Sequence, residues 1–441
     1  MLSNLKKTDP QIFELVKSEE KRQRDVLEMI ASENYTSSSV LEALGTVLNN
    51  KYSEGYPKKR YYQGNEFADS VEIIAQERAK ELFGVPHVNV QPYSGSPANL
   101  AIYLALVDPQ KDKVMGFSLA FGGHLTYGSP VSITGKYFNV VHYELGADGK
   151  LDYDAIEKQA IKEKPKLIIC GTTAYSQIID FKRFAKIADK VGAYLHADIS
   201  HISGLVVGGV HPSPAPYAHT IMTTTHKTLR GPRGAMVMVT ERGLKKDPEL
   251  AEKIDKAVFP GLQGGPHDNQ TAGIAVALKE ASTASFKKYA ANIVKNADRL
   301  AKELQKRGFE IVSGGTENHL MCVDLQNKSV NGAVAALALE VAGIVLNKNS
   351  VPNDPMPPFY PSGIRLGTPA LTTRGMNEKD MVKVASWMDE VITESARYEM
   401  PSVKEDRAVF WKQFKKDVTK NKELLRINKE IKAFASKFPL P

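Results

Sequence analysis

From about residue 70 onward, short apolar runs rich in β-branched residues alternate with longer stretches of helical periodicity. This alternation of strands and helices predicts a mostly parallel β-sheet with helices on both faces. In such sheets ligands bind beyond the carboxyl ends of the strands, so the residues that end each run are the first candidates for a site. The predicted strands are 88–90, 114–117, 139–141, 167–169, 193–195 and 220–222, and the predicted helices are 70–83, 97–107, 152–163 and 181–191.

The chain has 441 residues, a length that favours two to four domains or one large α/β domain with an appendage. An amphipathic helix is predicted at 10–31, and a polar, Gly- and Tyr-rich loop follows at 52–64. After residue 284 a second αβ region is predicted, with helices 285–307 and 331–342 and strands 310–312 and 321–325. We therefore expect three parts: an N-terminal helix and arm (1–69), a large domain (70–284) and a small C-terminal domain (285–441).

The composition, with 42% hydrophobic and 24% charged residues, is typical of globular proteins and argues against disordered and collagen-like chains. No run approaches the roughly 18 apolar residues of a membrane helix, and the N-terminal residues do not resemble a secretory signal. Two cysteines, Cys170 and Cys322, are too few for a disulfide framework. We expect a cytoplasmic location, no metal site, and neither membrane nor nucleic-acid partners.

The net charge of +8 is concentrated near the C-terminus. Residues 401–441 hold 11 Lys and Arg against 5 Asp and Glu, with apolar residues at roughly helical spacing. We interpret this stretch as surface helix with a solvated basic face. A weak electrostatic role toward polyanionic ligands is the second interpretation.

Two of the predicted strands end in residues that can carry chemistry. The run that contains 193–195 leads into Asp198, and a Thr-rich run leads into His226 and Lys227, followed by a Gly/Pro turn. A desolvated lysine can act as an amine nucleophile and form Schiff bases, and an aspartate can pair with a protonated pyridine nitrogen. Together they describe a pyridoxal-phosphate site, although a single lysine is more often structural or solvated.

A phosphate-binding turn is predicted at Tyr93-Ser94-Gly95-Ser96-Pro97, directly after the first strand of the alternation. We expect Ser96 to cap a helix that begins at Pro97. Backbone amides and hydroxyls at a helix N-terminus bind phosphate well.

Several motifs in a shared order extend from about Ile30 to Asp389: Ala31-Ser32-Glu33-Asn34-Tyr35, Lys51-Tyr52-Ser53-Glu54-Gly55-Tyr56-Pro57, Arg60-Tyr61-Tyr62, Gly122-Gly123-His124-Leu125, Thr225-His226-Lys227-Thr228, Gln263-Gly264-Gly265-Pro266, Asn347-Lys348-Asn349-Ser350-Val351-Pro352 and Ser362-Gly363-Ile364-Arg365. With them the chain resembles the serine hydroxymethyltransferase family, pyridoxal-phosphate enzymes of the aspartate-aminotransferase fold (fold type I). The resemblance implies a large domain with a mostly parallel seven-stranded sheet, a smaller C-terminal α/β domain, and reversible transfer of the serine hydroxymethyl carbon to tetrahydrofolate. It also implies a homodimer or a dimer of dimers, with the N-terminal arm contributing to the dimer and the site.

The resemblance implies a role for each matching position. Catalysis would involve Lys227, Glu54, His226, Tyr62 and Thr173, with Lys227 joined covalently to the cofactor and Glu54 as the acid/base group. The cofactor would also contact Asp198 at the pyridine nitrogen, His124 on the ring face, and Ser94, Gly95, Ser96, His201, His226, Tyr52 and the partner-derived Gly264 and Gly265. Substrate would bind Ser32, Tyr62, His201 and, through its carboxylate, Arg365. Folate would bind Leu119, Gly123, His124, Leu125, Asn347, Pro357, Pro358 and Phe359.

Four positions depart from the family pattern. Tyr93 and Tyr127 stand where many members have His, and Leu262 and Gln63 stand where Gly is common. We expect none of them to contact Lys227, Asp198, His124, Glu54 or Arg365. They leave open whether the substrate is serine or α-methylserine. The sequence also leaves open a folate-independent threonine or phenylserine aldolase of the same fold, and a catalytically silent binding module.

Overall fold

A computed structural model describes residues 3–401 and 403–441; residues 1, 2 and 402, which fall within the predicted regions 1–69 and 285–441, lie outside the described residues. The helices are α1 (Ser3–Thr8), α2 (Pro10–Asp25), α3 (Ser38–Leu44), α4 (Glu66–Phe83), α5 (Gly95–Leu106), α6 (Ile133–Tyr137), α7 (Tyr153–Glu163), α8 (Phe181–Val191), α9 (Ser203–Val207), α10 (Glu241–Lys246), α11 (Leu250–Val258), α12 (Asp268–Ala281), α13 (Ala284–Lys306), α14 (Gly332–Val341), α15 (Pro369–Thr373), α16 (Glu378–Ser395), α17 (Arg407–Val418) and α18 (Lys422–Ala435). The strands are β1 (Leu27–Glu28), β2 (Gly55–Tyr56), β3 (Lys59–Arg60), β4 (His87–Asn89), β5 (Lys113–Phe117), β6 (Asn139–Tyr143), β7 (Leu167–Gly171), β8 (Tyr194–Asp198), β9 (Thr220–Thr224), β10 (Ala235–Val239), β11 (Glu310–Ile311), β12 (Leu320–Asp324), β13 (Ile344–Val345), β14 (Asn347–Asn349) and β15 (Gly363–Gly367).

The central sheet has seven strands in the order β4-β10-β9-β8-β7-β5-β6. Strand β10 is antiparallel to both of its neighbours, and the remaining pairs are parallel. The predicted mostly parallel sheet is therefore confirmed, and each predicted strand is present to within three residues. Strand β10 was not predicted, because it returns antiparallel to β9 after the loop 225–234, with no helix between them, and so lies outside the strand–helix alternation.

The carboxyl ends of the parallel strands lie along one edge of this sheet. Gly171 at the end of β7 is in register with Asp198 at the end of β8, and Asp198 is in register with Met222 of β9. Asp152 and Asp180 are the N-caps of α7 and α8, and their carboxylates accept hydrogen bonds from first-turn amides. Gly192, with a positive φ of 73°, is the C-cap of α8. These local signals explain why the predicted helices are found with nearly the same bounds.

The predicted helix 10–31 is too long. Helix α2 ends at Asp25, and Leu27 and Glu28 form a parallel pair with β13 instead. The guanidinium of Arg374 donates hydrogen bonds to the carbonyls of Gln23, Arg24 and Val26, which satisfies the last turn of α2. The same side chain donates to the carbonyls of Ala435 and Phe438, at the end of α18. Arg374 thus joins the two ends of the chain, a long-range contact that helical periodicity does not reveal.

A second hydrophobic core forms around the four-stranded antiparallel sheet β11-β12-β15-β14. Helix α13 packs its first half on the large-sheet core and its second half, from Ala297, on this smaller core. In α17 and α18 the apolar residues Phe414, Leu424 and Ile431 are buried in the second core. Lysines of both helices are exposed, as the interpretation of a surface helix with a basic face predicts. Within the described residues, the helices are all too short or too polar to span a membrane.

Candidate active site

A cavity of about 380 Å³ opens at the edge of the large sheet where β7, β8 and β9 end. We call it the strand-end cavity. Fourteen of the residues predicted for the site line it: Ser32, Ser94, Gly95, Ser96, Leu119, Gly123, His124, Leu125, Thr173, Asp198, His201, His226, Lys227 and Arg365. Residues from the N-terminal arm, both sheets and their loops therefore converge on one space.

Lys227 follows β9 and faces the cavity. Its Nζ donates a hydrogen bond of 2.6 Å to Oγ1 of Thr224. Burial of the amine lowers the pKa of Lys227 to about 8, although the carboxylate of Asp198 acts in the opposite direction. A lysine in this environment carries a larger neutral fraction near neutral pH than a solvated lysine does, as an amine nucleophile requires.

The carboxylate of Asp198 accepts four hydrogen bonds. Oδ1 accepts from the backbone N–H and the hydroxyl of Ser200, at 3.0 and 2.6 Å. Oδ2 accepts from Nδ2 of Asn99 and from the hydroxyl of Tyr127, both at 2.9 Å. Burial opposes the ionisation of Asp198, but hydrogen bonds from Ser200 and Asn99 are among the contacts that outweigh it and hold the pKa of the carboxyl below its ordinary value. The cavity thus contains a fixed negative charge.

A chain of hydrogen bonds links Asp198 to His124. The side-chain amide of Asn99 donates one N–H to Asp198 and the other to Oγ1 of Thr126, at 2.8 Å. Its oxygen accepts from Nε2 of His196 at 3.1 Å. Nδ1 of His124 lies 2.7 Å from Oγ1 of Thr126 and accepts the Thr126 backbone N–H at 3.3 Å. His124 is therefore an acceptor at Nδ1, and burial lowers its pKa, which favours the neutral ring with its proton on Nε2.

The polar end of the cavity lies at the start of α5. The cap position is Ser94, and Gly95 and Ser96 are in the first turn, so the prediction that Ser96 caps a helix starting at Pro97 is wrong. The serine hydroxyls of this turn are exposed toward the cavity. A Cβ at Gly95 would lie 2.8 Å from Cγ2 of Thr224, so glycine is needed where the helix approaches β9.

Cationic and imidazole groups face the same end. Nδ1 of His226 is buried and has no hydrogen-bond partner among the described residues, and burial lowers the pKa of His226 to about 3. The exposed Arg233 lines the cavity nearby. A turn of hydroxyls and backbone amides with an arginine and an unsatisfied imidazole matches the chemistry of a phosphate site.

At the other side of the cavity, Arg365 of β15 is partly buried and held by two hydrogen bonds. Its Nε donates to Oδ1 of Asn347 at 3.0 Å, and its Nη1 donates to the carbonyl of Thr173 at 2.7 Å. Nη2 has no partner among the described residues. Burial lowers the pKa of Arg365, so the site carries a desolvated guanidinium that can bind an anion.

His201 lies behind this arginine, with Nδ1 3.2 Å from Nε2 of the fully buried His319. Burial lowers the pKa values of both, that of His319 to about 3, so both rings are neutral and one donates to the other. His201 is thus positioned by a second histidine that the sequence analysis did not single out.

Comparison with known proteins identifies the family to which this site belongs. The sequence profile of the serine hydroxymethyltransferase family matches residues 5–388. A serine hydroxymethyltransferase of Desulfotalea psychrophila is 54% identical over 440 residues, which cover 100% of this chain and 96% of the relative. Those of Acidothermus cellulolyticus and Sorangium cellulosum are 59% and 56% identical, over 90% and 88% of this chain and 91% and 90% of the relatives. The chain belongs to the serine hydroxymethyltransferase family. Its fold is fold type I of the pyridoxal-phosphate enzymes.

Among the residues predicted for catalysis, cofactor binding and substrate binding, five do not line the strand-end cavity: Tyr52, Glu54, Tyr62, Gly264 and Gly265. We call them the tyrosine–glycine cluster. The rings of Tyr52 and Tyr62 meet edge to face at 5.2 Å, and a Cβ at Gly264 would lie 3.6 Å from Oε1 of Glu54. Tyr52, Gly264 and Gly265 line a separate cavity of about 520 Å³. Within one chain, the predicted site is therefore split into two parts.

The residues predicted to bind folate are also divided, since only some of them line the strand-end cavity. Leu119, Gly123, His124 and Leu125 line the strand-end cavity. Asn347 contacts it only through Arg365. Pro357, Pro358 and Phe359 are exposed and do not line it; the ring of Phe359 is 4.3 Å from Nζ of Lys348.

One expectation about the departures from the family pattern is wrong, because the Tyr127 hydroxyl contacts Asp198 directly. The tyrosine reaches the carboxylate from a turn that the sequence does not connect with β8. Six further cavity residues were not predicted for the site: Tyr127, Thr172, Ser200, Met222, Thr224 and Arg233. Thr224 ends β9 and Arg233 lies in the Gly-Pro-Arg-Gly turn, so a stricter use of strand ends could have found both. Asn99 lies inside a helix and gives no such signal.

Proposed function

We propose that this chain is a pyridoxal-phosphate-dependent serine (glycine) hydroxymethyltransferase, which transfers the hydroxymethyl carbon of serine to tetrahydrofolate and yields glycine and 5,10-methylenetetrahydrofolate. The observation that carries the proposal is that Lys227 and Asp198 line one cavity in a chain matched by the family over residues 5–388. A nucleophilic amine and a fixed carboxylate on one small cavity are what a pyridine aldehyde needs.

The residues of the strand-end cavity fit pyridoxal phosphate. Ser94, Gly95, Ser96, His226 and, from the partner chain, Gly264 and Gly265 would hold its phosphate. The unpartnered Nδ1 of His226 supports this assignment. Asp198 would hold the ring nitrogen, His124 the ring face, and His201 and Tyr52 would complete the contacts. When bound, the cofactor supplies an aldehyde that captures amines and a ring that accepts the electron pair of a broken Cα bond.

Lys227 would hold the cofactor covalently through its amine. A drop in pKa from 10.5 to about 8 raises the neutral fraction of the amine near pH 7 by roughly a few hundred-fold. Thr224 orients Nζ by the hydrogen bond between them. The chain thus supplies both the nucleophile and its activation by desolvation.

Arg365 grips the carboxylate of the amino acid, and Ser32, Tyr62 and His201 contact the remainder of the substrate. The hydrogen bonds to Asn347 and Thr173 fix the guanidinium plane while Nη2 stays available. A fixed guanidinium orients the substrate about Cα, and orientation contributes heavily to rate because the breaking bond must align with the ring's π-system. Thr173 also donates its hydroxyl to the carbonyl of Gly123, which shapes the wall next to the substrate.

We propose that Glu54 is the acid/base group and acts on the cavity of a partner chain, so the enzyme is a homodimer or a dimer of dimers. The supporting observation is that the tyrosine–glycine cluster does not line the strand-end cavity of its own chain. Its surroundings are rich in exposed rings, with Tyr52 58%, Tyr61 70% and Phe67 74% exposed. Exposed aromatic residues in one region are typical of a protein contact.

The folate would extend from Leu119, Gly123, His124 and Leu125 toward Asn347, Pro357, Pro358 and Phe359. The three-part division at residues 69 and 284 stays a prediction, as does a cytoplasmic location. Both cysteines are free and buried, which agrees with a reducing compartment.

The decisive test is formation of glycine from serine with and without tetrahydrofolate. We expect rapid, folate-dependent formation of glycine, together with a change in the visible spectrum with glycine that appears only when tetrahydrofolate is added. Equal cleavage of serine, threonine or phenylserine without folate would favour the aldolase instead. A purified chain with no bound pyridoxal phosphate and no turnover would contradict both.

Mixing two inactive chains tests the partner assignment. Lys227→Ala and Glu54→Gln chains carry different tags and are co-expressed, and the hybrid is purified. If Glu54 acts on the partner's cavity, one of the two sites in the hybrid is intact, and about half of the wild-type activity should return. A hybrid of Lys227→Ala with Asp198→Asn is the matched control and should stay inactive, because both residues belong to the same cavity. An inactive Lys227→Ala/Glu54→Gln hybrid would contradict the assignment.

A further inference from the structure

Tyr127 is fully buried, and among the described residues its hydroxyl makes one hydrogen bond, to Oδ2 of Asp198. Two other buried tyrosines near this sheet donate to backbone instead. The hydroxyl of Tyr143 bonds the carbonyl of Ile169, and that of Tyr103 bonds the carbonyl of Thr126. The latter two hydroxyls satisfy the backbone, whereas that of Tyr127 serves a side chain of the site.

The other donors to Asp198 have additional contacts that fix them. Asn99 is held by Thr126 and His196. The oxygen of Ser200 accepts the backbone N–H of Thr224 at 3.1 Å while its hydroxyl donates to Asp198. Tyr127 is therefore the donor whose removal changes the carboxylate and leaves the remaining network intact.

Two glycines make room for this tyrosine. A Cβ at Gly171, in register with Asp198 on the neighbouring strand, would lie 2.6 Å from the Tyr127 hydroxyl oxygen. A Cβ at Gly116 would lie 2.9 Å from Cβ of Tyr127. Burial also raises the pKa of Tyr127 well above its ordinary value, so the hydroxyl keeps its proton and acts as a donor. The pocket around Tyr127 is thus built to direct an O–H group at the carboxylate.

We propose that Tyr127 is a positioning residue that occupies Oδ2 of Asp198 and lowers the proton affinity of the carboxylate facing the ring nitrogen of pyridoxal phosphate. A carboxylate has about four lone-pair sites, and the four donors already present fill them. A protonated ring nitrogen must share the carboxylate with these donors. Tyr127 therefore weakens the hold on the ring proton and moderates how strongly the ring withdraws electrons. The consequence for the ring, though not the effect on Asp198 itself, rests on the proposed function.

The first test uses the full-length holoenzyme reconstituted with pyridoxal phosphate that carries ¹⁵N in the ring. The ¹⁵N chemical shift reports protonation of the nitrogen, and Asp198→Asn sets the value without a carboxylate. We expect Tyr127→Phe to move the signal further from the Asp198→Asn value than in wild type. Tyr143→Phe, which also removes a buried hydroxyl, should match wild type. A Tyr127→Phe signal at the wild-type position, or displaced toward Asp198→Asn, would overturn the proposal.

The second test needs no cofactor. It therefore measures the effect of Tyr127 on Asp198 even if the proposed function is wrong and the wild-type chain does not bind the ¹⁵N-labelled pyridoxal phosphate. Aspartate carboxyls of the full chain are labelled with ¹³C, and the Asp198 signal is identified by its loss in Asp198→Asn. Tyr127→Phe should protonate about one pH unit higher than wild type, a tenfold change, because a hydrogen bond to a charged group contributes about 1.5 kcal/mol. Titratable groups that face Asp198 and are unchanged by this variant are His124, Lys227, His196 and Cys170.

A variant that should shift the protonation of Asp198 in the opposite direction controls for changes in folding. 3-Fluorotyrosine at position 127 keeps the hydroxyl in place and makes it a stronger donor, so Asp198 should protonate at lower pH than in wild type. Superimposed curves for wild type and Tyr127→Phe, down to the acid limit of the folded chain, would refute the proposal. A downward shift in Tyr127→Phe would refute it as well.

Discussion

The strand-end cavity and the tyrosine–glycine cluster differ in how their functional groups are held. In the cavity, the carboxylate of Asp198 accepts four hydrogen bonds and the guanidinium of Arg365 donates two. In the cluster, the rings of Tyr52 and Tyr62 are 58% and 46% exposed. The cavity is organised by the strands of its own chain, whereas the cluster is carried on two loops, one around residues 52–62 and one between α11 and α12. This difference agrees with the proposal that the cluster of one chain completes the strand-end cavity of a partner chain.

The largest effect is expected from Lys227→Ala, which removes the nucleophile of the cavity. We expect loss of the covalently bound cofactor and a fall in turnover of about a thousandfold or more, because this amine is the nucleophile that would hold the cofactor. The fold should persist, since within residues 3–401 and 403–441 the side chain's hydrogen bond is to Thr224 alone. Reduction with borohydride followed by mass spectrometry locates the cofactor, and full turnover in this variant would refute the role of Lys227.

Glu54→Gln tests the cluster in the same way. The change keeps the size of the side chain and removes the acid/base function, so folate-dependent transfer should fall by about a hundred- to a thousandfold. Cofactor content and urea stability should equal those of wild type, because Glu54 is not among the residues proposed to hold the cofactor and the change preserves its size. Loss of cofactor in Glu54→Gln would contradict the assignment of cofactor binding to the strand-end cavity and of only the acid/base function to Glu54.

The strand-end cavity was largely predictable because parallel strands place their last residues on one edge. Asp198 and Lys227 could be paired from their positions after two apolar runs, and helical periodicity predicted the bounds of α7 and α8 to within one residue. Strand β10 was missed because an antiparallel return interrupts the alternation. The end of α2 was misplaced because Arg374, distant in sequence, satisfies its last carbonyls.

The contacts inside the site were less predictable than its residues. Asn99 and Thr126 bridge Asp198 and His124 through side chains whose orientation depends on packing between a helix and a turn. Tyr127 was expected to stay away from Asp198, and only the space left by Gly171 brings the two together. Patterns along the sequence specify which edge of a sheet a residue occupies, but not which neighbour its polar atoms reach.

The pH dependence of stability tests whether the cavity is as desolvated as its geometry indicates. Lys227 has a pKa of about 8 in the folded chain and 10.5 when unfolded, so between these values the unfolded chain holds a proton that the folded chain has lost. Stability from this group therefore rises as pH increases through that window, by about 3 kcal/mol in total.

Lys227→Met removes the effect, and the change is measured by urea unfolding of the cofactor-free chain. The variant should be more stable than wild type at pH 7, and this advantage should shrink toward pH 10. Lys429→Met, which removes an exposed lysine of α18, corrects for the general loss of a positive charge. A difference between Lys227→Met and wild type that stays constant with pH would contradict the desolvated amine.

The smallest effect is expected from Arg365→Lys, which keeps the charge of the cavity and removes its geometry. One ammonium cannot bond Asn347 and Thr173 while also forking onto a carboxylate, so the KM for serine should rise about ten- to thirtyfold with cofactor affinity unchanged. Arg374→Lys is the matched control, because the Arg374 guanidinium is also held by hydrogen bonds but lies at the junction of the chain ends, where it donates to backbone carbonyls. It should lower the urea midpoint and leave the KM for serine as in wild type. If both variants lowered stability equally and neither changed the KM for serine, Arg365 would be a structural arginine. The strand-end cavity would then lack the preset cationic group that distinguishes it from the tyrosine–glycine cluster.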